Sequence, residues 1–180
     1  YELNKLNDIL DYIHLMTYDL QSSDKTTHHT ALFDSSSAPH GSVKQTVDTF
    51  ISQGVSKEKL IVGIAFYGRM YTLSGEVTNI LGNSNVVTGG KTITFTDIFN
   101  NYLSKTYKSD STVIRYFDND SKAPYIYDSK NKVFITYDDP ESIKEKCKFV
   151  NENDLGGVMF WDYGEDQTFT LLNAIYEEMK

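Results

Sequence analysis

The sequence predicts an α/β fold in which parallel strands alternate with helices, interrupted once by an α+β insertion. Three observations carry this. Apolar runs at 11–19, 60–69 and 156–166 each close on an aromatic beside a charge, as in Met16-Thr17-Tyr18-Asp19, Phe66-Tyr67-Gly68-Arg69 and Phe160-Trp161-Asp162. Amphipathic helical patterns separate or follow them, and a strand-helix-strand unit requires a right-handed parallel crossover. From 71 to 138 the pattern changes to short alternating segments with one helix. Three strand-helix units suit either a small open sheet or a piece of a (β/α)8 barrel. The barrel has the stronger claim, because barrels gather functional residues at strand carboxyl ends, where this chain puts its aromatics and charges.

Taken in order, Leu3, Leu6 and Leu10 stand at helical spacing and predict a short helix over 2–10. The strand at 11–19 is apolar on both faces except at His14 and Thr17, which predicts cover on both sides. Residues 20–41, rich in Ser, Thr, Asp and His, read as a long functional loop. Ser42 with Gln45 opens a helix bearing Val43, Val47, Phe50 and Ile51 on one face, and Gly54 ends it. A strand at 60–67 follows. Within the insertion, strands are predicted at Lys91–Phe95, Thr112–Phe117, Tyr125–Tyr127 and Val133–Thr136, with a helix over Asp97–Leu103 after Thr96. Asp139 then caps a helix with Pro140 at its first position and Ile143, Cys147 and Val150 facing inward. The strand of Trp161, the only tryptophan, comes next. A last helix presents Phe169, Leu172, Ile175 and Met179, with Glu165 and Asp166 complementing its amino end. The domain reading is therefore 1–70, 71–138 and 139–180.

The 180 residues suffice for a real core, and 13% aromatic content is far too much for a disordered chain. A formal charge of −8 with scattered lysines argues against nucleic acid as a partner. No apolar run reaches the roughly 18 residues of a membrane span, and no signal peptide opens the sequence. Cys147 reads as a core-facing thiol. His28 and His29 show no evident carboxylate partner, so neither a metal nor a cofactor is expected. Tyr125 and Tyr127 read as the insertion's own core.

The three strand motifs, with Gly156-Gly157-Val158-Met159-Phe160-Trp161 as the third, resemble those on strands six, seven and eight of family-18 glycoside hydrolases, the chitinases. Ala123-Pro124-Tyr125-Ile126-Tyr127 followed by Phe134-Ile135-Thr136-Tyr137-Asp138-Asp139 resembles the insertion domain of members with deep clefts. The resemblance implies the carboxyl-terminal part of a TIM barrel. It makes Tyr18 the tyrosine that hydrogen-bonds the substrate's N-acetyl oxygen, and Asp19 its neighbour on sugar hydroxyls. Met16 would line that pocket, Tyr67 and Arg69 border the cleft, and Trp161 form the floor under the sugar whose bond breaks. A pyranose offers an apolar face to indole and polar edges to Tyr and Asp, which suits these types. The implied partners are chitin or N-acetylglucosamine oligosaccharides, and the implied location is extracellular.

One departure matters. The family's general acid lies in a DxxDxDxE motif, and no such pattern occurs in this sequence. The chain is therefore expected to supply sugar-binding residues to a complete chitinase, to be inactive alone, and to self-associate through unpaired sheet edges. A non-catalytic chitin-binding lectin on the same barrel is the alternative.

Overall fold

The structure, a computed structural model, describes residues 2–106, 108 and 111–180. Two sheets organise them, and the smaller is parallel. It contains β1 (Ile13–Leu15), β2 (Leu60–Ala65) and β8 (Gly157–Trp161) in the order β1-β2-β8. Both pairings are parallel, with Gly63 opposite Met159 and Ala65 opposite Trp161. Helix α1 (Leu3–Ile9) leads into β1, α2 (Val43–Ser52) joins β1 to β2, and α5 (Pro140–Glu152) and α6 (Thr170–Met179) flank β8. The caps read at Ser42 and Asp139 hold, but only the second is a full capping box. Ser42 accepts from the Gln45 amide, and Asp139 and Ser142 form a reciprocal capping box with Pro140 at the start of α5.

The larger sheet is antiparallel, in the order β4-β3-β7-β6-β5. Its strands are β3 (Tyr67–Leu73), β4 (Val86–Thr94), β5 (Val113–Asp118), β6 (Ala123–Asp128) and β7 (Val133–Thr136). It starts at Tyr67, one residue beyond Phe66 and four before the boundary read at 71. The apolar run 60–67 is thus two strands, and its break is invisible because both are buried. Helix α3 (Phe95–Ile98) continues through a π-helical turn at Phe99–Leu103 into α4 (Ser104–Thr106). Thr94, not Thr96, caps it by accepting from Asp97 N. The Thr96 hydroxyl instead donates to the Glu165 carbonyl and accepts from Gln167 N, tying the insertion to the turn after β8.

Alternation along the strands divides the parallel sheet into two unlike faces. Leu60, Val62 and Ile64, with Val158 and Phe160, pack on helices α2, α5 and α6 through Val43, Val47, Ile143, Cys147, Val150, Leu171 and Ile175. Full burial of one such aliphatic side chain contributes about 1.5–3 kcal/mol. The opposite face carries Met16, Gly63, Ala65, Met159 and Trp161. Here the expected two-sided cover of β1 fails: Tyr12 is 60% exposed and Met16 69%, while Leu15 and Thr17 are buried. The helices cover only one face, so alternate residues of β1 meet solvent. In α6 the buried side chains are Leu171 and Ile175, and Phe169 stands exposed at the cap with φ 57°. Cys147 is buried as expected, its thiol pushed up to about 11, mainly by burial. Tyr125 and Tyr127 pack with Tyr71 and Phe134 inside the insertion.

Candidate functional site

The helix-free face of the parallel sheet and the first residues of β3 meet around Gly63. A Cβ there would lie 2.5 Å from the Leu15 carbonyl oxygen and 3.0 Å from the Tyr18 ring, so only glycine lets Tyr18 lie down on the sheet. Tyr18, Ala65, Tyr67 and Met159 form one small cluster, with the Tyr18 and Tyr67 rings edge to face at 5.9 Å. Tyr18 is buried, yet its hydroxyl has no hydrogen-bond partner among the described residues. Burial first, and the Asp19 charge second, raise its pKa, so it is a protonated phenol and a ready donor.

Asp19 follows with φ 63°, a left-handed conformation that side chains other than glycine adopt at a cost. What holds it there is the fork of Arg69, whose Nε donates to Oδ1 at 2.7 Å and whose Nη2 reaches Oδ2 at 2.6 Å. Arg69 is itself fixed by Nη1 contacts to the Gly90 carbonyl at 3.2 Å and the Thr92 hydroxyl at 2.7 Å. Partial burial pushes the Asp19 carboxyl up, but the nearby His29 ring, hydrogen bonds from Arg69 and Tyr67 and the Arg69 charge more than offset this and hold it well below the usual range. Asp19 is therefore an anionic acceptor, unsuited to act as a general acid. The same carboxylate, after burial, raises the Tyr67 phenol.

Trp161 ends β8 on this face and is 58% exposed, an indole surface free to stack against a flat apolar ligand face. Met16 lies on the same side of β1, so it is available to a ligand without closing a pocket over it. Tyr18, Asp19, Tyr67 and Arg69 are thus brought into contact, with Met159 beneath them, while Met16 and Trp161 stand open on the flanks. A cavity of about 410 Å³, lined by Met70, Lys91, Thr92, Tyr102 and Glu165 among others, adjoins the Arg69 side through Thr92. Glu165, expected to serve the last helix, lines this cavity, its carboxyl raised by burial and then by Asp162 and Asp97. Asp166 alone complements that helix, accepting from Leu171 N at 2.8 Å.

Two residues passed over as metal ligands enter the site in another way. His29 is fully buried, its ring 5.5 Å from that of Tyr67 and its Nδ1 3.8 Å from Asp19 Oδ1, longer than a hydrogen bond. Burial lowers its pKa, so the ring is neutral. His28 does have a carboxylate partner, with Nε2 3.0 Å from Asp118 Oδ2 at the end of β5. Below the tyrosines lies a buried ion pair missed in the sequence, Lys146 to Asp138 at 2.7 Å. The signal for it was a lysine set among Ile143, Cys147 and Val150 on the inward side of α5.

The family profile "Glycosyl hydrolases family 18" matches residues 1–166. Chitinase A1 of Niallia circulans is 31% identical over 196 residues, covering 99% of this chain and 27% of that protein. A family 18 N-acetylglucosaminidase from Paenibacillus barengoltzii superposes with a TM-score of 0.86 at 37% identity, over 98% of this chain and 51% of its own. A family 18 chitinase from Cycas revoluta, solved in complex with (GlcNAc)3, superposes with a TM-score of 0.85 at 25% identity, over 100% of this chain and 50% of its own. The chain therefore spans about half or less of the length of these relatives.

Proposed function

The chain belongs to glycosyl hydrolases family 18, and we propose that it forms the carboxyl-terminal part, strands six to eight with the insertion, of a TIM-barrel chitinase. In this reading residues 1–70 and 139–180 belong to the barrel and 71–138 to the insertion domain. The complete enzyme cleaves β-1,4 bonds between N-acetylglucosamine units with retention, using the substrate's own acetamido oxygen as nucleophile. The observation that carries the proposal is the buried, unpartnered hydroxyl of Tyr18 beside an arginine-held carboxylate and an open indole.

Each group has a task in that chemistry. The sugar's apolar face rests on Trp161. The Tyr18 hydroxyl donates to the acetamido oxygen, which orients it toward the anomeric carbon, and Met16 and Met159 wall the acetamido methyl. Asp19, fixed by Arg69, accepts from sugar hydroxyls, and Tyr67 borders the cleft. As the acetamido oxygen bonds to the anomeric carbon, the glycosidic bond breaks and its oxygen takes a proton from a general acid. Asp19 is too acidic for that step, so the acid is the glutamate of a DxxDxDxE motif outside these 180 residues. The exposed faces of Met16, Tyr12 and Trp161 accord with a sheet that continues into further strands, and with self-association when those are absent. Secretion to the extracellular space belongs to the same reading.

The test uses the complete protein and a fluorogenic N-acetylglucosamine oligomer. Trp161→Ala and Tyr18→Phe should each lower kcat/KM by about 100-fold or more, while the 180-residue chain alone shows no turnover. Unchanged activity in both variants would overturn the site. Retained oligosaccharide binding without any hydrolysis by the complete protein would identify a lectin instead.

A further inference from the structure

Beneath the two site tyrosines, the Lys146–Asp138 ion pair is fully buried and fully partnered. Asp138 accepts from Lys146 Nζ on both oxygens (2.8 and 2.7 Å), from the Ser142 hydroxyl at 2.7 Å and from the Ala65 amide at 3.1 Å. Lys146 also donates to the Thr30 hydroxyl at 2.6 Å, whose own proton faces the Thr17 carbonyl at 3.1 Å and Asp138 Oδ2 at 3.3 Å. Thr17, Thr30, Ala65, Asp138, Ser142 and Lys146 are all buried. These groups belong to the exit of β1, the long loop, the end of β2, the exit of β7 and the first turns of α5.

Burying such a pair brings little net stability, because the desolvation of both ions roughly cancels their attraction, and apolar replacements often do as well. What this network does instead is fix positions. Thr17 immediately precedes Tyr18, and Ala65 lies two residues before Tyr67. One charge pair therefore ties down the backbone beside both rings, and Thr30 carries it to the Thr17 carbonyl, while the Thr17 hydroxyl is held separately on the Gly63 carbonyl at 3.2 Å. The same segment of loop is held from its other side by the His29 amide on the Thr136 hydroxyl at 3.2 Å.

We propose that Thr30, gripped by the Lys146–Asp138 pair, is a positioning residue that aims the Tyr18 hydroxyl, so that its removal slows the reacting step more than it weakens binding. The inference rests on the reading that Tyr18 orients the substrate's acetamido group. A misplacement of about 1 Å at a reacting centre can lower rates about 100-fold, and an interaction made only in the transition state is lost from kcat and kcat/KM alike, leaving KM little changed.

The experiment is a kinetic comparison in the complete protein with the same fluorogenic oligomer. Thr30→Val deletes the bridge while keeping the side chain's shape, and kcat should fall about 10- to 100-fold with KM within about threefold. Thr30→Ser, which restores the hydroxyl, should recover most of kcat. Normal kcat in Thr30→Val, alongside a crippled Tyr18→Phe, would overturn the positioning role. A normal Tyr18→Phe would instead overturn the reading of Tyr18. Loss of both kcat and melting temperature that Thr30→Ser does not restore would reduce Thr30 to a packing residue and also refute the proposal. If Thr30→Val does not fold, the Lys146→Gln, Asp138→Asn double variant, which leaves no unpaired charge, should show the same selective loss of kcat. Unchanged kcat there is equally decisive against it.

Discussion

Replacing Tyr18 by Phe should stabilise the protein while disabling it. The ring's contacts with Gly63, Tyr67 and Met159 survive the change. Only the hydroxyl goes, and it is a buried polar group without a partner among the described residues. A buried donor left unsatisfied costs about 1–3 kcal/mol, so its deletion should return a gain of that order. For a chain of 180 residues, each kcal/mol moves the melting temperature by about 2–4 °C, giving a rise of about 2–12 °C. Circular dichroism on heating and urea unfolding at neutral pH both measure it. Adding N-acetylglucosamine oligomers should then narrow the gap, because a ligand that accepts from the hydroxyl stabilises the wild type more. A fall in stability of more than about 0.5 kcal/mol would show that the hydroxyl already makes a hydrogen bond of ordinary worth in the free protein and is not an unpaired donor.

Three other perturbations follow from the same structure. Lys146→Met strands the Asp138 carboxylate in the interior and should cost about 3–5 kcal/mol in urea unfolding, most of it recovered when Asp138→Asn is added; no recovery would mean the pair is not isolated from other charges. Gly63→Ala drives a methyl to 2.5 Å from the Leu15 carbonyl oxygen and should cost about 1–3 kcal/mol while displacing Tyr18, so a variant of unchanged stability would contradict the close approach. Stability should also fall with acid in two steps. His29 is held neutral by burial, so the unfolded chain takes up its proton first and stability declines as pH drops through about 6.5; His29→Gln should flatten that step. Asp118, kept down at about 2 chiefly by its hydrogen bond with His28, contributes stability that is present above 3.8 and lost between there and about 2, and Asp118→Asn should remove it.

What could be read from the sequence was what neighbours in sequence decide. The caps at Ser42 and Asp139 and the inward Ile143, Cys147 and Val150 of α5 are local patterns, and the structure contains them; on α2 Val43 and Val47 are buried but Ile51, read on the same face, stands exposed. The break between β2 and β3 was hidden because Ala65, Phe66 and Tyr67 are all buried, so hydrophobicity does not dip where the chain changes sheets. Thr94 and Thr96 are both plausible caps, and only the distant Glu165 decides between them. In the site, the aromatic and charged strand ends could be identified by type. Their supports could not, because Thr30 to Asp138 and Thr30 to Lys146 span 108 and 116 residues of sequence. Nothing in the neighbourhood of His29 tells that its ring lies against Tyr67 rather than in solvent.

The loop of residues 20–41 bears on how such proteins can be altered. It is lashed to the antiparallel sheet by the Leu32 amide on the Ser121 carbonyl, the His29 amide on Thr136, the Tyr71 hydroxyl on the Ser22 carbonyl and the Thr26 amide on the Asn83 carbonyl. The strand that leads into the insertion, β3, also brings Tyr67 and Arg69 to the site. The insertion is thus not a detachable module: excising residues 71–138 would unmoor the loop and strip β3 of its partners β4 and β7, with the Gly90 and Thr92 contacts that fix Arg69 against Asp19. A graft of another relative's insertion should succeed only when residues 20–41 travel with it, as one inherited unit divided in sequence by α2 and β2.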